Sequence, residues 1–576
     1  MTAMERYNSW LAAPWLDEDS RAELAALTDE KEIEDRFYRE MEFGTAGMRG
    51  VLAAGLNRMN VYTVRRASKG LADYIVSCGA EAAKRGVAIA YDSRKNSDVF
   101  AKETAAVLCA AGVNVYLYES LRPVPQLSFA LRHLGCIGGV VITASHNPAI
   151  YNGYKVYWED GGQIPPDHVK DVVACIDKIQ DFGAIPTMDL EEAKAAGLLT
   201  IIGKEVDDVY IERVKGVSVR PDLLAKLGDE FKVVYTPLHG TGNIPVRRVL
   251  AELGLKNVFV VPEQEMPDSA FSTVRSPNPE DHDAFNLAIE LAEKVGADIV
   301  LGTDPDCDRL GVLVKNEGQY TVLTGNQTAC LILNYILTQM KEAGTLPENG
   351  AVVKTIVSTD LAKTICDAFG VTTIDVLTGF KFIAEQIAMF EETGKHTFLF
   401  GFEESYGCLA GTFVRDKDAV IASMLAVEVA AWYRSRGMTL YDGIQELYKT
   451  YGYSYERTIS FTMPGKDGME KMANTMSAMR ENTPWQLGDV AVSAVRDYQT
   501  SIRTTAEGAT EEIPIVKSNV LFFELDAGAW AVVRPSGTEP KIKVYFSAQA
   551  PTMEAAVAKV DGLQEAFMNI MKPYME

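Results

Sequence analysis

A hydroxyl and an imidazole stand side by side where the apolar run GGVVI gives way to TASHNPAIYNGYKVY: Ser145 and His146, with Lys155 further along the same segment. A serine presented at a strand end, where α/β folds place their sites, can carry a transferable group on Oγ. Ser, Asn and Pro also build ordinary turns, so this segment alone decides nothing. In VLGTDPDCDRLGV, Asp304, Asp306 and Asp308 alternate at the end of a second apolar run. Three hard oxygen donors so placed converge on one divalent cation, and carboxylates this close repel one another unless a positive charge sits between them. A calcium helix-loop-helix site opens the same way but requires Gly at its sixth position and Glu at its twelfth. Arg309 and Lys315 stand there instead.

Four further segments bring groups suited to a phosphorylated sugar. GFEESYG offers Glu403 and Ser405 to vicinal hydroxyls. VVRPSGTEPKIKVY has the composition of a phosphate cradle. Arg534 supplies a planar fork, Ser536 and Thr538 hydroxyls, Gly537 close backbone approach, and Lys541 and Lys543 charge. FGTAGMRG and YDSR place Arg49 and Arg94 after glycines and at a strand end.

The elements that must position these loops follow from periodicity. Short β-branched runs alternate with amphipathic stretches, as in VAIAYDS, VNVYLY and GGVVITAS, and the rhythm restarts at FKVVYTPLHG and at AVVKTIVSTD. That pattern predicts α/β units with parallel strands. After about Tyr453 the segments become β-rich and close with a long helix from about Thr552 to Met571. The expected architecture is therefore α/β in four domains: 1–205, 206–315, 316–455, and a smaller α+β domain over 456–576.

Composition narrows the partners. The 576 residues carry 79 Asp and Glu against 56 Lys and Arg, a formal charge of -23, which repels nucleic acid and anionic membrane surfaces and makes neither an expected partner. A phosphorylated substrate must then be drawn in by a locally basic cleft. The eight cysteines occur singly and read as reduced thiols. Acidic residues stand within the first 17 positions, and no run approaches ~18 uninterrupted apolar residues, so the expected location is the cytoplasm. No motif reports on assembly, which leaves the oligomeric state open.

Taken together and in this order, TASHNP, DPDCDR, GFEESYG and RPSGTEPKIKVY resemble the phosphoserine, metal, sugar and phosphate loops of the α-D-phosphohexomutase family, over about residues 40 to 550. The resemblance implies three similar α/β domains and a smaller fourth around a central cleft. It implies that Ser145 carries the phosphoryl group, that Asp304, Asp306 and Asp308 together with Ser145 bind one Mg²⁺ per chain, and that Lys155 assists proton transfer with His146 nearby. Arg49, Arg94 and Arg309 would stabilise charge. Gly379 and Lys381 in LTGFKFI, and Arg415 and Lys417 in VRDKDAV, would bind substrate. These two segments and TPLHGTG look most like phosphoglucomutases close to phosphopentomutases. The implied activity interconverts glucose 1-phosphate and glucose 6-phosphate through glucose 1,6-bisphosphate, with ribose phosphates or mannose phosphates as alternative substrates and a sugar bisphosphate synthase as a further one. A phosphatase using Asp304 as nucleophile, and a sugar-phosphate binding protein without chemistry, are the rivals outside the family.

Overall fold

The computed structural model describes residues 1–575 except 228–229, 464, 527 and 536–540, with the backbone alone for 465–467. The chain forms two compact units that alternate along the sequence: Met1–Thr345 with Ala384–Leu440, and Leu346–Ile383 with Tyr441–Glu576.

The first unit holds two mixed sheets. In the first, strands run in the order Gly47–Val51, Tyr151–Trp158, Gly138–Ile142, Val87–Tyr91, Val115–Tyr118, Leu199–Ile202. The last four are mutually parallel, and Tyr151–Trp158 is antiparallel to both its neighbours. The central strands are apolar at almost every position because helices cover both faces. Val87, Ile89, Val140 and Ile142 pack in one cluster with Val64 and Leu71 of the Val61–Ser77 helix and Phe100 and Leu108 of the Ser97–Ala110 helix. The alternate residue Gly139 faces Leu127 and Leu131 of the Val124–Leu134 helix on the other side, as a period of two requires. Every residue of Gly138–Ile142 is buried, so this rigid strand delivers the Ser145 loop.

In the second sheet, Lys232–Thr236 is parallel to Asn257–Val260 and to Ile299–Thr303, which turns back into Leu310–Asn316. The turn between those last two strands is the aspartate-rich segment. The boundary expected at 315 falls inside Leu310–Asn316, whose hairpin partner Gln319–Leu323 carries the sheet onward. Those expected at 205 and 455 fall inside the Lys204–Lys215 helix and the Tyr453–Thr462 strand. The first unit also contains the hairpin of Thr397–Glu403 with Gly407–Leu409, which carries the GFEESYG loop, and the buried helix Ala419–Ser435.

In the second unit, Gly350–Thr355 pairs in parallel with Thr372–Val376. An antiparallel sheet follows in the order Tyr453–Thr462, Lys541–Ala550, Ala529–Pro535, Leu521–Leu525, Val490–Asp497, Ile502–Thr505, Thr510–Glu512. Its two faces separate by residue parity. Leu521, Phe523, Ala531 and Val533 meet the helices Gly465–Glu481 and Met553–Met575, while Phe522, Trp530 and Val532 pack with Ile356 and Leu377. The fold class is thus α/β, with mixed sheets in the earlier blocks and a β-rich C-terminal block. Among the described residues no helix is long and apolar enough to cross a membrane.

Gly153 lies in the strand that carries Lys155, between two neighbouring strands. A Cβ there would come within 2.5 Å of the Thr143 carbonyl and 2.9 Å of that of Met48. Neither backbone can yield without breaking the sheet, so Gly153→Ala is expected to cost about 1–3 kcal/mol, read as a lowered midpoint in thermal or urea unfolding.

Candidate active site

The Ser145 loop and the aspartate loop meet. Ser145 has a left-handed backbone, φ 52, and its N–H donates to Thr143 Oγ1 at 2.8 Å. Its hydroxyl donates to Asp304 Oδ2 at 2.8 Å and lies 3.2 Å from His146 Nδ1. The residue is buried, with its hydroxyl turned toward the aspartate loop. Burial, and then the cations Arg309 and Arg49, hold the His146 imidazole well below its ordinary value, hence neutral near pH 7.

Asp304, Asp306 and Asp308 are all buried, with one ligand oxygen from each within 4.8 Å of the others. Asp304 Oδ1 accepts the main-chain N–H groups of Asp308 and Arg309 at 3.1 and 3.0 Å, which closes the turn. Asp306 Oδ2 meets Lys155 Nζ at 2.9 Å and Asp308 Oδ2 meets Lys417 Nζ at 3.1 Å. The second oxygens of Asp306 and Asp308 are buried without a hydrogen-bond donor. Orphaned carboxylate oxygens are costly, and an all-oxygen donor set of this size fits a hard divalent cation. Burial, with repulsion from Asp306 and Asp308, raises the Asp304 carboxyl well above its usual range; burial acts the same way on Asp306, but Lys155, Asp304 and Lys417 together outweigh it and hold that carboxyl low. Burial favours neutral Lys155, yet Asp306 and Asp308 prevail and keep the ammonium above its ordinary value.

Lys417 joins the aspartate loop to the sugar-loop hairpin, with Nζ 3.1 Å from Asp308, 3.3 Å from Asp416 and 3.9 Å from Glu403. Its stem passes over Gly407, where a Cβ would sit 2.0 Å from Lys417 Cδ. Asp416 in turn accepts from Tyr157 Oη at 2.7 Å. Ser405 lies in the same hairpin loop as Glu403 and is half-buried. Arg49 is exposed and donates to Asn147 Oδ1 at 3.1 Å. Arg309 pairs with Glu280 and lies 4.0 Å from Asp308.

Two expected substrate-binding residues are placed otherwise. The Arg94 side chain is wholly buried and faces main-chain carbonyls of the Ser145 loop, not open space. Arg415 is buried and donates to the Thr412 carbonyl and the Glu391 carboxylate. The sequence reading missed the segment 268–281, where Ser276 Oγ donates to the His146 carbonyl at 2.7 Å and Glu280 holds Arg309. Its SPNPE run was the available signal, since two prolines fix a loop of definite shape.

In the second unit, Arg534 and Lys543 stand directly opposite on paired strands. Like charges so placed repel, an arrangement suited to an anion. Gly379 has φ 118, and Lys381 Nζ lies over the Phe382 ring. Ser536, Gly537 and Thr538 lie outside the described residues.

Four family profiles match in order: phosphoglucomutase/phosphomannomutase alpha/beta/alpha domain I over residues 40–182, domain II over 208–318, domain III over 324–451, and the C-terminal domain over 499–561. This chain belongs to the phosphoglucomutase/phosphomannomutase family. Members among its relatives include the phosphoglucomutase of Staphylococcus epidermidis, 36% identical over 559 residues, covering 96% of this chain and 98% of that protein. That of Staphylococcus aureus strain MRSA252 is 37% identical over 542 residues, covering 93% and 94%. Two solved structures share the fold. The Paramecium parafusin, a phosphoglucomutase in its open form, aligns with a TM-score of 0.67 at 16% identity, covering 93% of this chain and 97% of that one. A family member from Burkholderia thailandensis aligns at 0.66 and 18% identity, covering 92% and 97%. As a family member the chain is an α-D-phosphohexomutase-type enzyme of the isomerase class.

Two outcomes are expected. A saturating divalent cation will raise the unfolding temperature, by the equivalent of about 2.7 kcal/mol at a hundred times its Kd, and Asp306→Asn with Asp308→Asn will abolish the rise in differential scanning fluorimetry. Asp418, which caps the Ala419–Ser435 helix, is pushed up to about 6, burial outweighing its bonds from Ile421, Tyr210 and Val420. Unfolded, it titrates near ~3.9. Between these values the folded state binds more protons, so its contribution to stability is lost as pH rises through the window, by about 3 kcal/mol. Unfolding of Asp418→Asn measured from pH 4 to 6.5 will show a flatter profile on that side.

Proposed function

We propose that this chain is a phosphoglucomutase that interconverts glucose 1-phosphate and glucose 6-phosphate, with Ser145 as phosphoryl carrier and glucose 1,6-bisphosphate as intermediate and activator. The observation that carries the reading is Ser145 Oγ at 2.8 Å from Asp304, beside the two orphaned aspartate oxygens. The names of relatives alike over nearly their whole length support glucose as the sugar.

A 1,6 exchange needs a group that both gives and receives phosphate, and a phosphoserine does both. Phospho-Ser145 gives its group to the free hydroxyl of the monophosphate: the sugar O–P bond forms as the P–Oγ bond breaks, and the hydroxyl proton, assisted by Lys155 with His146 nearby, ends on Ser145 Oγ. The bisphosphate reorients and returns its other phosphoryl group to Ser145 Oγ, whose proton passes by way of His146 Nδ1 or Asp304 Oδ2 to the sugar oxygen released as its O–P bond breaks. Asp304, Asp306, Asp308 and Ser145 would hold one Mg²⁺ per chain, which supplies charge neutralisation for the transferring group. Lys155, Arg49 and Arg309 add positive charge where phosphoryl oxygens develop it. Glu403 and Ser405 accept and donate to sugar hydroxyls, with Lys417 fixing the Glu403 loop against Asp308. Gly379 and Lys381 contribute to the substrate, and Arg534, Ser536, Gly537, Thr538 and Lys543 grip the phosphate that is not reacting. The four domains bounded near 205, 315 and 455, a cytoplasmic location and a small phosphosugar as partner belong to the same proposal. Asp304 as the nucleophile of a phosphatase is disfavoured, since both its oxygens already accept hydrogen bonds.

Purified protein with Mg²⁺ and a trace of glucose 1,6-bisphosphate will convert glucose 1-phosphate faster than ribose 1-phosphate, and Ser145→Ala will lose at least roughly 10³-fold in kcat. Faster ribose conversion would move the assignment to phosphopentomutase. A phosphoenzyme cleaved by hydroxylamine would move it to an acyl phosphate.

A further inference from the structure

Arg94 follows the Val87–Tyr91 strand and reaches beneath the neighbouring loop. Its Nη1 donates to the carbonyls of Pro148 and Tyr151, each at 3.0 Å, and its Nη2 to those of Ser145, at 2.5 Å, and Asn147. Nε faces Asp92 Oδ2 at 3.3 Å, and both side chains have zero exposure. Asp92 Oδ1 is held in turn by the Arg94 N–H at 2.9 Å and Ser97 Oγ at 2.7 Å. From the next block, the Phe271 ring covers the guanidinium at 5.0 Å, and Ser276 holds the carbonyl of His146. Every carbonyl from Ser145 to Pro148 thus has a donor, three of them on one side chain.

The loop so held contains a non-glycine residue in the left-handed region, Ser145 at φ 52. Such a backbone is disfavoured by roughly 1–2 kcal/mol and persists only where the surroundings over-determine it. In an extended conformation the Ser145 side chain would leave the strand in another direction, away from Asp304. The planar fork of arginine, with fixed parallel donors, matches a curved row of carbonyls in a way that a lysine point charge cannot.

We infer that Arg94 is a positioning residue for phosphoryl transfer: by gathering the carbonyls of Ser145, Asn147, Pro148 and Tyr151 onto one buried guanidinium, it fixes the left-handed turn that aims Ser145 Oγ at Asp304. Arg94 acts through the serine and touches neither sugar nor phosphate. This inference rests on Ser145 as the phosphoryl carrier.

Arg94→Lys keeps the charge beside Asp92 but loses the fork, and Asp92→Asn/Arg94→Met removes the pair without leaving a lone buried charge. In both, kcat should fall on the order of 100-fold, the effect of a misplacement of about 1 Å, with KM for glucose 1-phosphate within about twofold. Arg94→Ala should recover part of its kcat on addition of guanidinium chloride at low millimolar concentration, and not on addition of ammonium chloride. A rise in KM at unchanged kcat, or kcat unchanged in Arg94→Lys, would overturn the inference. A crystal structure of Arg94→Lys gives a reading independent of activity. Ser145 should leave the left-handed region, and φ near 52 with Oγ still bonded to Asp304 would refute the assignment. If the Arg94 variants do not fold, Phe271→Leu should lower kcat several-fold at constant KM, and unchanged kcat there would refute it as well. Absence of Ser145-dependent turnover in the unsubstituted enzyme would refute the function itself, leaving the crystallographic test to decide the role of Arg94 in the turn.

Discussion

Three carboxylates packed into a buried pocket are the constraint around which the first unit is organised. Asp304, Asp306 and Asp308 cannot all be ionised at such separations in a low-dielectric interior without compensation. The fold supplies part of it from separate segments. Lys155 comes from an edge-side strand of the first sheet, Lys417 from the segment before a buried helix, and two main-chain N–H groups from the aspartate turn itself. The two oxygens left over define where a cation belongs. The same electrostatic demand draws the Ser145 hydroxyl to Asp304. A single imbalance of charge therefore gathers loops that the sequence keeps far apart.

Around this centre the division of labour among cations is uneven. Some arginines and lysines face the pocket, and others are consumed by the scaffold. Arg415 ties its loop to Glu391 and donates its main-chain N–H to Ser128 Oγ, and Arg94 is covered by Phe271. In a chain with a strong overall negative charge, Arg94, Lys155 and Lys417 are each held by carboxylates buried beside them, Asp92, Asp306 and Asp308. Tyr157, through Asp416, steadies Lys417 at a distance from any reacting atom.

Much of this was legible in the residues. The alternation of β-branched runs and helices specified α/β blocks, since parallel strands covered on both faces read as continuous apolar stretches, and the change of pattern after Tyr453 marked the antiparallel C-terminal sheet. The aspartate triplet and Ser145 stood out because their spacing suits few other purposes. What was not legible depended on long-range packing. YDSR looks like an arginine awaiting an anion, and nothing local says that its fork will meet the carbonyls of a loop more than fifty residues away. Likewise, a reference value for lysine gives no warning that Lys155 will settle against Asp306. The strands Leu310–Asn316 and Tyr453–Thr462 pass through the positions near 315 and 455, and their extent is set by pairing with strands elsewhere in the chain that no local pattern shows.

The alternation of the two units along the chain bears on how the protein is made. The Gly325–Glu342 helix packs on Ala419–Ser435, which emerges from the ribosome only after a whole segment of the second unit, Leu346–Ile383, has been synthesised. At a synthesis rate of about 5–20 residues per second, the nascent first unit waits several seconds with an apolar helix face uncovered and with Lys417 not yet beside Asp308. The order of translation thus exposes the aspartate turn to solvent cations before its protein partners arrive, and a stop codon anywhere before the end of Ala419–Ser435 would leave a product unable to close either unit.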